Sequence, residues 1–242
     1  MDFPKRLRPQ IPWKRLFAQG AVLTTSILAA LASDAWWEGR KNDRKEHAHL
    51  LALTRDFGVA QERVALSEQV ARDAKDEIFE LFMAIEQRTT AELGRGALLT
   101  MIHAVHYEVF SSPRGAYDAM VSSGQVRLLK SHSLKQLLAD FYGGIEDTRV
   151  SEQQLLRLIL AFQMSEVFAT KINWAELGNS AANPDLELGD RLKAMIASWS
   201  GDPILRNWLC TIMAHQDTVA EDYIFLAERI DAVVKALELE LR

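Results

Sequence analysis

From Leu50 onward one spacing recurs. Leu50, Leu53, Phe57, Ala60, Val64, Ser67, Ala71, Ala74, Ile78, Leu81 and Ile85 follow at alternating steps of three and four, through five heptads without a slip. That spacing stacks every one of these side chains on a single stripe of an α-helix and excludes the two-residue alternation of a strand. A long helix over this stretch is the strongest constraint on the fold. Gly58 costs it about 1 kcal/mol without stopping it. Small residues line the middle of the stripe, which suggests close approach of a neighbouring helix there. The stripe is either the core face of a bundle or a surface for self-association.

Upstream lies the second constraint. Between Arg15 and Asp34 run 18 residues without a charge, LFAQGAVLTTSILAALAS. As a helix they span about 27 Å, close to the roughly 30 Å hydrocarbon thickness of a bilayer. Trp13 and Arg15 before the run, and Trp36 and Trp37 after it, sit where interfacial residues belong. A secretory signal fits the basic start and the small-x-small Ala30-Leu31-Ala32, although its apolar core exceeds the usual 7–15 residues. A buried core helix is a third reading. The bracketing Arg and Trp residues favour an uncleaved anchor that continues into the heptad helix.

Charge gives the orientation. Residues 1–15 carry Lys5, Arg6, Arg8, Lys14 and Arg15 against Asp2, a balance of +4, which leaves −9 of the net −5 to the rest. Five basic residues precede the span and Arg40, Lys41, Arg44 and Lys45 follow it, so the positive-inside rule places the N-terminus in the cytoplasm by one residue. The expected organisation is a basic cytoplasmic tail (1–15), a transmembrane helix (16–37) and a helical extracytoplasmic domain (38–242), in the inner membrane of a bacterium with the C-terminal domain periplasmic.

The remainder reads as helix. Ser112-Pro113 resembles an N-cap with Pro at N1, opening a short helix that Gly124 closes in a left-handed turn. Val126, Leu128 and Leu129 would then tuck inward, making Tyr117, Ser123, Gly124 and Leu128 a structural corner. Ser133 with Gln136 forms a capping box, and Ser151 with Gln154 a second, so the helix either restarts after Gly143-Gly144 or passes through with a weak point there. Residues 173–190 read as a long loop. Asp202-Pro203 starts a last helix towards Leu241, with Leu205, Leu209, Ile212, Val219, Tyr223, Leu226, Ile230, Val233, Val234 and Leu237 on its apolar stripe. The fold class is all-α: a transmembrane helix continuing into a bundle with long antiparallel helices.

Chemistry is scarce. Phosphate-cradling, zincin and hydrolase-elbow motifs are missing, and Glu46-x-x-His49 lacks the second Glu-x-x-His of a di-iron bundle. His103 and His106 share a helix face at i, i+3, yet two ligands do not complete a metal site. Cys210, the single cysteine, forbids an internal disulfide and reads as a small buried residue. The acidic character of the chain beyond residue 15 argues against nucleic acid. No catalytic, cofactor or metal residue is assigned.

Two segments carry a resemblance. Asp34-Ala35-Trp36-Trp37-Glu38-Gly39-Arg40 closes the span, and Ala116 to Leu129 holds a Tyr, then Ser-Gly-x-Val-x-Leu-Leu. Together they resemble bacterial single-pass membrane proteins of unknown function, in which an N-terminal span ends in an Asp or Asn, Trp, Glu, Arg cluster. Val126 stands where that group usually has Leu. The resemblance implies topology and a helical extracytoplasmic domain, and no activity.

The expected function is a non-catalytic, membrane-anchored interaction protein, an accessory or scaffolding subunit of a membrane complex or a homo-oligomer. Its partners are lipid and a membrane protein or a second copy. Gly20, Thr24 and Ala29 are the small residues expected to let the span pack against another membrane helix. The alternative is a membrane-anchored enzyme or small-ligand sensor with a pocket between helices near His103 and His106.

Overall fold

A computed structural model describes residues 13–107, 109–173 and 189–242, with side chains from residue 21 onward and at Phe17. The basic tail at 1–12, the side chains of Trp13 and Arg15, and most of the expected loop (174–188) lie outside the described residues. The described chain is all-helical, with no strand. It divides into two compact units, residues 1–49 and 50–242.

The first helix, α1 (Trp13–Gln87), runs unbroken through Gly58 and through the boundary between the units. In the second unit all eleven residues of its heptad are buried, from Leu50 to Ile85. The helix ends at Arg88, which adopts a left-handed φ of 61°. There Thr89 N–H donates to the Ala84 carbonyl at 2.9 Å, and Gly201 N–H donates to that of Ile85 at 2.8 Å. Two short helices follow, α2 (Thr90–Leu93) and α3 (Arg95–Ala104).

Next comes α4 (Gly115–Ser122), which starts later than Ser112-Pro113 suggests. The Ser112 hydroxyl instead donates to the Pro113 carbonyl. The cap is tertiary: Asp56 on α1 accepts from the Ala116 N–H at 2.9 Å. A carboxylate from a distant turn thus satisfies a donor that a local serine was expected to take.

The long helix α5 (His132–Gln163) is capped two residues before the expected Ser133. Ser131, extended at φ −70° and ψ 114°, is the N-cap, and its hydroxyl accepts from Leu134 N–H. Helix α5 passes through Gly143-Gly144 without a break. A Cβ on Gly144 would fall 1.8 Å from Nη1 of Arg229, so the glycine makes room for a neighbouring guanidinium.

Two further helices, α6 (Glu166–Lys171) and α7 (Asp190–Ala197), lead to α8 (Pro203–Glu240). Asp202 caps α8 as the sequence indicates, its carboxylate accepting from Ile204 and Leu205 N–H at 2.9 and 3.0 Å. The whole expected stripe of α8 is buried except Val234, which packs half-buried against the core.

Cross-helix pairs give the directions. Gln61 bonds Asp231, Lys75 meets Asp217 and Glu86 pairs with Arg206, so α8 runs antiparallel to α1. Gly144 faces Arg229, Glu152 meets Tyr223 and Phe162 packs on Trp208, so α8 is antiparallel to α5 as well. Phe57 against Phe141, with ring centroids 4.8 Å apart, and a shared hollow between residues 67–77 and Leu155 show α1 and α5 running the same way. The core is a three-helix arrangement.

Candidate functional site

In the first unit, α1 presents apolar residues around its circumference. Phe17, Val22, Leu23, Ile27, Leu28, Leu31, Trp36 and Trp37 are 59–75% exposed. Hydroxyls within this stretch are turned onto their own backbone: Thr25, Ser26 and Ser33 donate to the carbonyls of Ala21, Val22 and Ala29 at 2.8–2.9 Å. The Arg40 guanidinium lies 4.9 Å over the Trp36 ring, and Trp37, Arg40, Lys41, Arg44 and Lys45 form a basic band. Among the described residues no helix is long and apolar enough to cross a membrane. Thr24 and Ala29 are exposed, and the surroundings of Gly20 lie outside the described residues. Gly20 and Thr24 fall on one helix face, whereas Ala29 is nine residues from Gly20, about 180° around the axis. The three small residues therefore do not form one packing surface.

The corner is built as its residues imply. Gly124 has φ 67° and ψ 16°, the left-handed cap that closes α4. The Ser123 hydroxyl donates to the Ala119 carbonyl at 2.6 Å. A 3-10 turn over Gln125–Leu128 then carries the chain to Leu129, which is buried, with Val126 and Leu128 half-buried. Tyr117 stacks on Tyr142 with centroids 4.0 Å apart, under the Arg114 guanidinium. The buried Tyr142 hydroxyl has no hydrogen-bond partner among the described residues. Burial first, and then the nearby Asp56 and Asp118, hold its pKa far above the usual phenol value.

A concave site lies in the second unit, where the heptad stripe of α1 is smallest. Around Ser67, Ala71 and Ala74 the helices do not close up as expected; they leave a cleft of about 350 Å³. Leu155 of α5 and Gln216, Val219 and Tyr223 of α8 complete its buried wall. Asp73, Glu77, His103, His106 and Tyr107 form the more exposed mouth. His103 and His106 line one cleft but not one helix face: α3 ends at Ala104, and His106 follows in a turn whose N–H donates to the His103 carbonyl. The His103 ring is tied through Nδ1 to the Glu77 carboxylate.

Behind the cleft sits a buried carboxyl. Glu152 Oε1 accepts from the Tyr223 hydroxyl and from the Phe110 N–H, both at 2.8 Å. Burial raises its pKa, and the two hydrogen bonds offset only part of that. Gln216 is 3% exposed and Ser67 5%. No hydrogen bond joins either side chain to a described residue.

Ser67 and Glu77 lie ten residues apart on α1, about 15 Å along its axis. A His103 ring held at Glu77 is therefore no base for the Ser67 hydroxyl. Among the described residues no three His, Cys, Asp or Glu side chains converge to hold a metal. Cys210 is exposed rather than buried, because it follows Leu209 by about 100° and leaves the stripe.

Ser67 and Gln216 were not singled out as site residues by the sequence. A signal exists: the α8 stripe steps by four and three except between Ile212 and Val219, where the missing position is Gln216. No protein-family model, curated protein or solved structure matches this chain.

Proposed function

We propose that the protein is a membrane-anchored helical module that acts by binding, an accessory or scaffolding subunit of a membrane complex or a homo-oligomer. The N-terminal part of α1 is its anchor in a bacterial inner membrane, with the N-terminus cytoplasmic and residues 38–242 periplasmic. One observation carries the reading: apolar side chains project around the whole circumference of α1 from Val22 to Leu31. A helix of that kind is stable only in apolar surroundings. The back-bonded Thr25, Ser26 and Ser33 hydroxyls reduce the cost of placing polar groups in lipid. The uncharged run reaches bilayer length when residues 16–20 are counted with 21–33. The Trp pair and basic band beyond it suit a headgroup layer, and the resemblance carried by Asp34 to Arg40 points the same way.

Alkaline extraction of bacterial membranes tests the anchor. The full chain should stay in the pellet, and a variant with Ile27→Asp and Leu28→Asp should move to the supernatant. Full chain in the supernatant overturns the reading. A reporter that works only outside the cytoplasm should be active after Arg242, and activity at the N-terminus instead would reverse the orientation.

A further inference from the structure

We propose that the basic band of α1 beyond the anchor binds the phosphate headgroups of anionic phospholipid in preference to zwitterionic lipid. The inference rests on the membrane reading above and names the class of lipid that this end of the anchor holds.

Distribution comes first. Residues 34–46 carry Arg40, Lys41, Arg44 and Lys45 against Asp34, Glu38, Asp43 and Glu46, so the segment as a whole is neutral. Around the helix it is not. At about 100° per residue the four cations fall within an arc of about 140°, and Trp37 and Ala48 lie inside the same arc. Asp43 and Glu46 occupy the opposite side of α1. Glu38 borders the arc, and Asp34 lies six residues, about 9 Å, nearer the uncharged run than Arg40. The six residues of the arc line one shallow hollow, and all four cations are exposed. None of the four is paired with a carboxylate among the described residues.

Reach then decides where the charge goes. In a helix each Cα–Cβ bond tilts towards the N-terminus, which here is the side of the anchor. Long basic side chains therefore lean back towards Trp36 and Trp37. Arg40 does so: its guanidinium lies over the Trp36 ring, which belongs to the preceding turn. Arg40 and Lys41 start about 4–6 Å beyond Trp37 along the axis, and Arg44 and Lys45 about 10–12 Å. Leaning back brings both pairs to the polar layer that borders the hydrocarbon, where phosphates are the negative groups. An arginine fork matches phosphate oxygens in a bidentate way and a lysine adds a point charge, so each Arg–Lys pair suits one phosphate. A soluble polyanion gains nothing from the Trp pair and the apolar run beneath the cations, whereas a lipid occupies both.

The test incubates the full chain, purified in a neutral detergent, with equimolar phosphatidylglycerol and phosphatidylcholine, then repurifies it and measures bound lipid by mass spectrometry. Phosphatidylglycerol should be retained roughly tenfold over phosphatidylcholine at about 0.1 M salt, and the preference should fall below about threefold at about 1 M. Arg40→Gln, Lys41→Gln, Arg44→Gln and Lys45→Gln combined should abolish the preference and leave the melting temperature within about 2 °C. Lys193→Gln with Lys235→Gln, at exposed lysines elsewhere, should keep it. The proposal is overturned by equal retention of the two lipids, by a preference that survives the fourfold substitution, or by its loss in the two-lysine control. It is equally overturned if glycerol phosphate in water displaces the lipid, which would make the ligand a free phosphate. Alkaline extraction separates the two failures: a chain that pellets yet shows no preference keeps the anchor and loses this inference, and a chain in the supernatant loses the anchor itself.

Discussion

Residues 21–37 and 50–85 belong to the same continuous helix and draw on the same residues, Leu, Ala, Ile and the small hydroxyls. Their fates differ because the apolar residues are spaced differently. In the second stretch the heptad set forms one stripe buried against α5 and α8, with Leu51, Leu66 and Phe79 left exposed off it. In the first they occur on every side and stay exposed. A striped helix is satisfied by one neighbour from its own chain, whereas a helix apolar all round asks for an apolar medium or several partners. Hydrophobicity alone does not tell these apart. Periodicity does.

The comparison breaks or sharpens under substitution, and the largest effect belongs to the striped stretch. Phe57 is 1% exposed and packs on Phe141 and Tyr142, so Phe57→Ala should cost about 3–5 kcal/mol. Thermal unfolding followed by circular dichroism should show a drop of roughly 10 °C. The control is Leu28→Ala, at a residue 60% exposed, which should stay within about 0.5 kcal/mol. Equal effects at the two positions would erase the distinction between the stretches.

Gly124→Val comes next. A β-branched residue at φ 67° is strained by about 1–2 kcal/mol or more, although nothing within 4 Å blocks the added Cβ. The melting temperature should fall by several degrees while the amount of protein in the membrane pellet stays unchanged. An unchanged melting temperature would place the turn elsewhere.

Asp202→Ala removes the α8 cap and should cost about 1 kcal/mol at neutral pH. Desolvation raises the Asp202 pKa, but the Leu205 and Ile204 N–H groups and the Lys171 ammonium outweigh it, leaving a net value below the ordinary carboxylate. Its folded pKa being depressed, the stabilisation is present above the unfolded carboxylate value and is lost as pH falls through the folded one. The gap between wild type and variant should therefore be full at pH 7 and close on acidification below about pH 4. A gap that persists in strong acid would show that the charge contributes nothing.

The smallest effect on stability belongs to the exposed stretch. Gly20→Leu with Thr24→Leu fills one face of α1 and Ala29→Leu the opposite face, and neither should move the melting temperature by more than about 0.5 kcal/mol equivalent. Co-purification in mild detergent separates the faces. A docking face loses its partner or its second copy when filled, and retention of the same partners by both variants would make the stretch a tether only.

Much of this is legible in the amino-acid order. The eleven-residue stripe of α1, the Asp202 cap and the left-handed Gly124 are local or periodic features, and each lies within one element. The misplacements have tertiary causes. The sequence points to Ser112 for the α4 cap because Asp56, sixty residues from Ala116, leaves no local trace. Gly143-Gly144 read as a weak point because Arg229, the group it accommodates, lies on another helix. Cys210 read as buried although its offset from Leu209 already put it off the stripe.

The amino-acid order by itself determined which stretches are helical, which face of each long helix is apolar and where charge is withheld for 18 residues, since these follow from spacing along one axis. Only the tertiary structure decided that Ser67 and Gln216, from helices far apart in sequence, face one cleft whose mouth holds His103, His106 and Glu77. The reason is register. Periodicity states that a residue points inward; which inward residues meet depends on how far one helix slides along another, and every helix of the bundle sets that together.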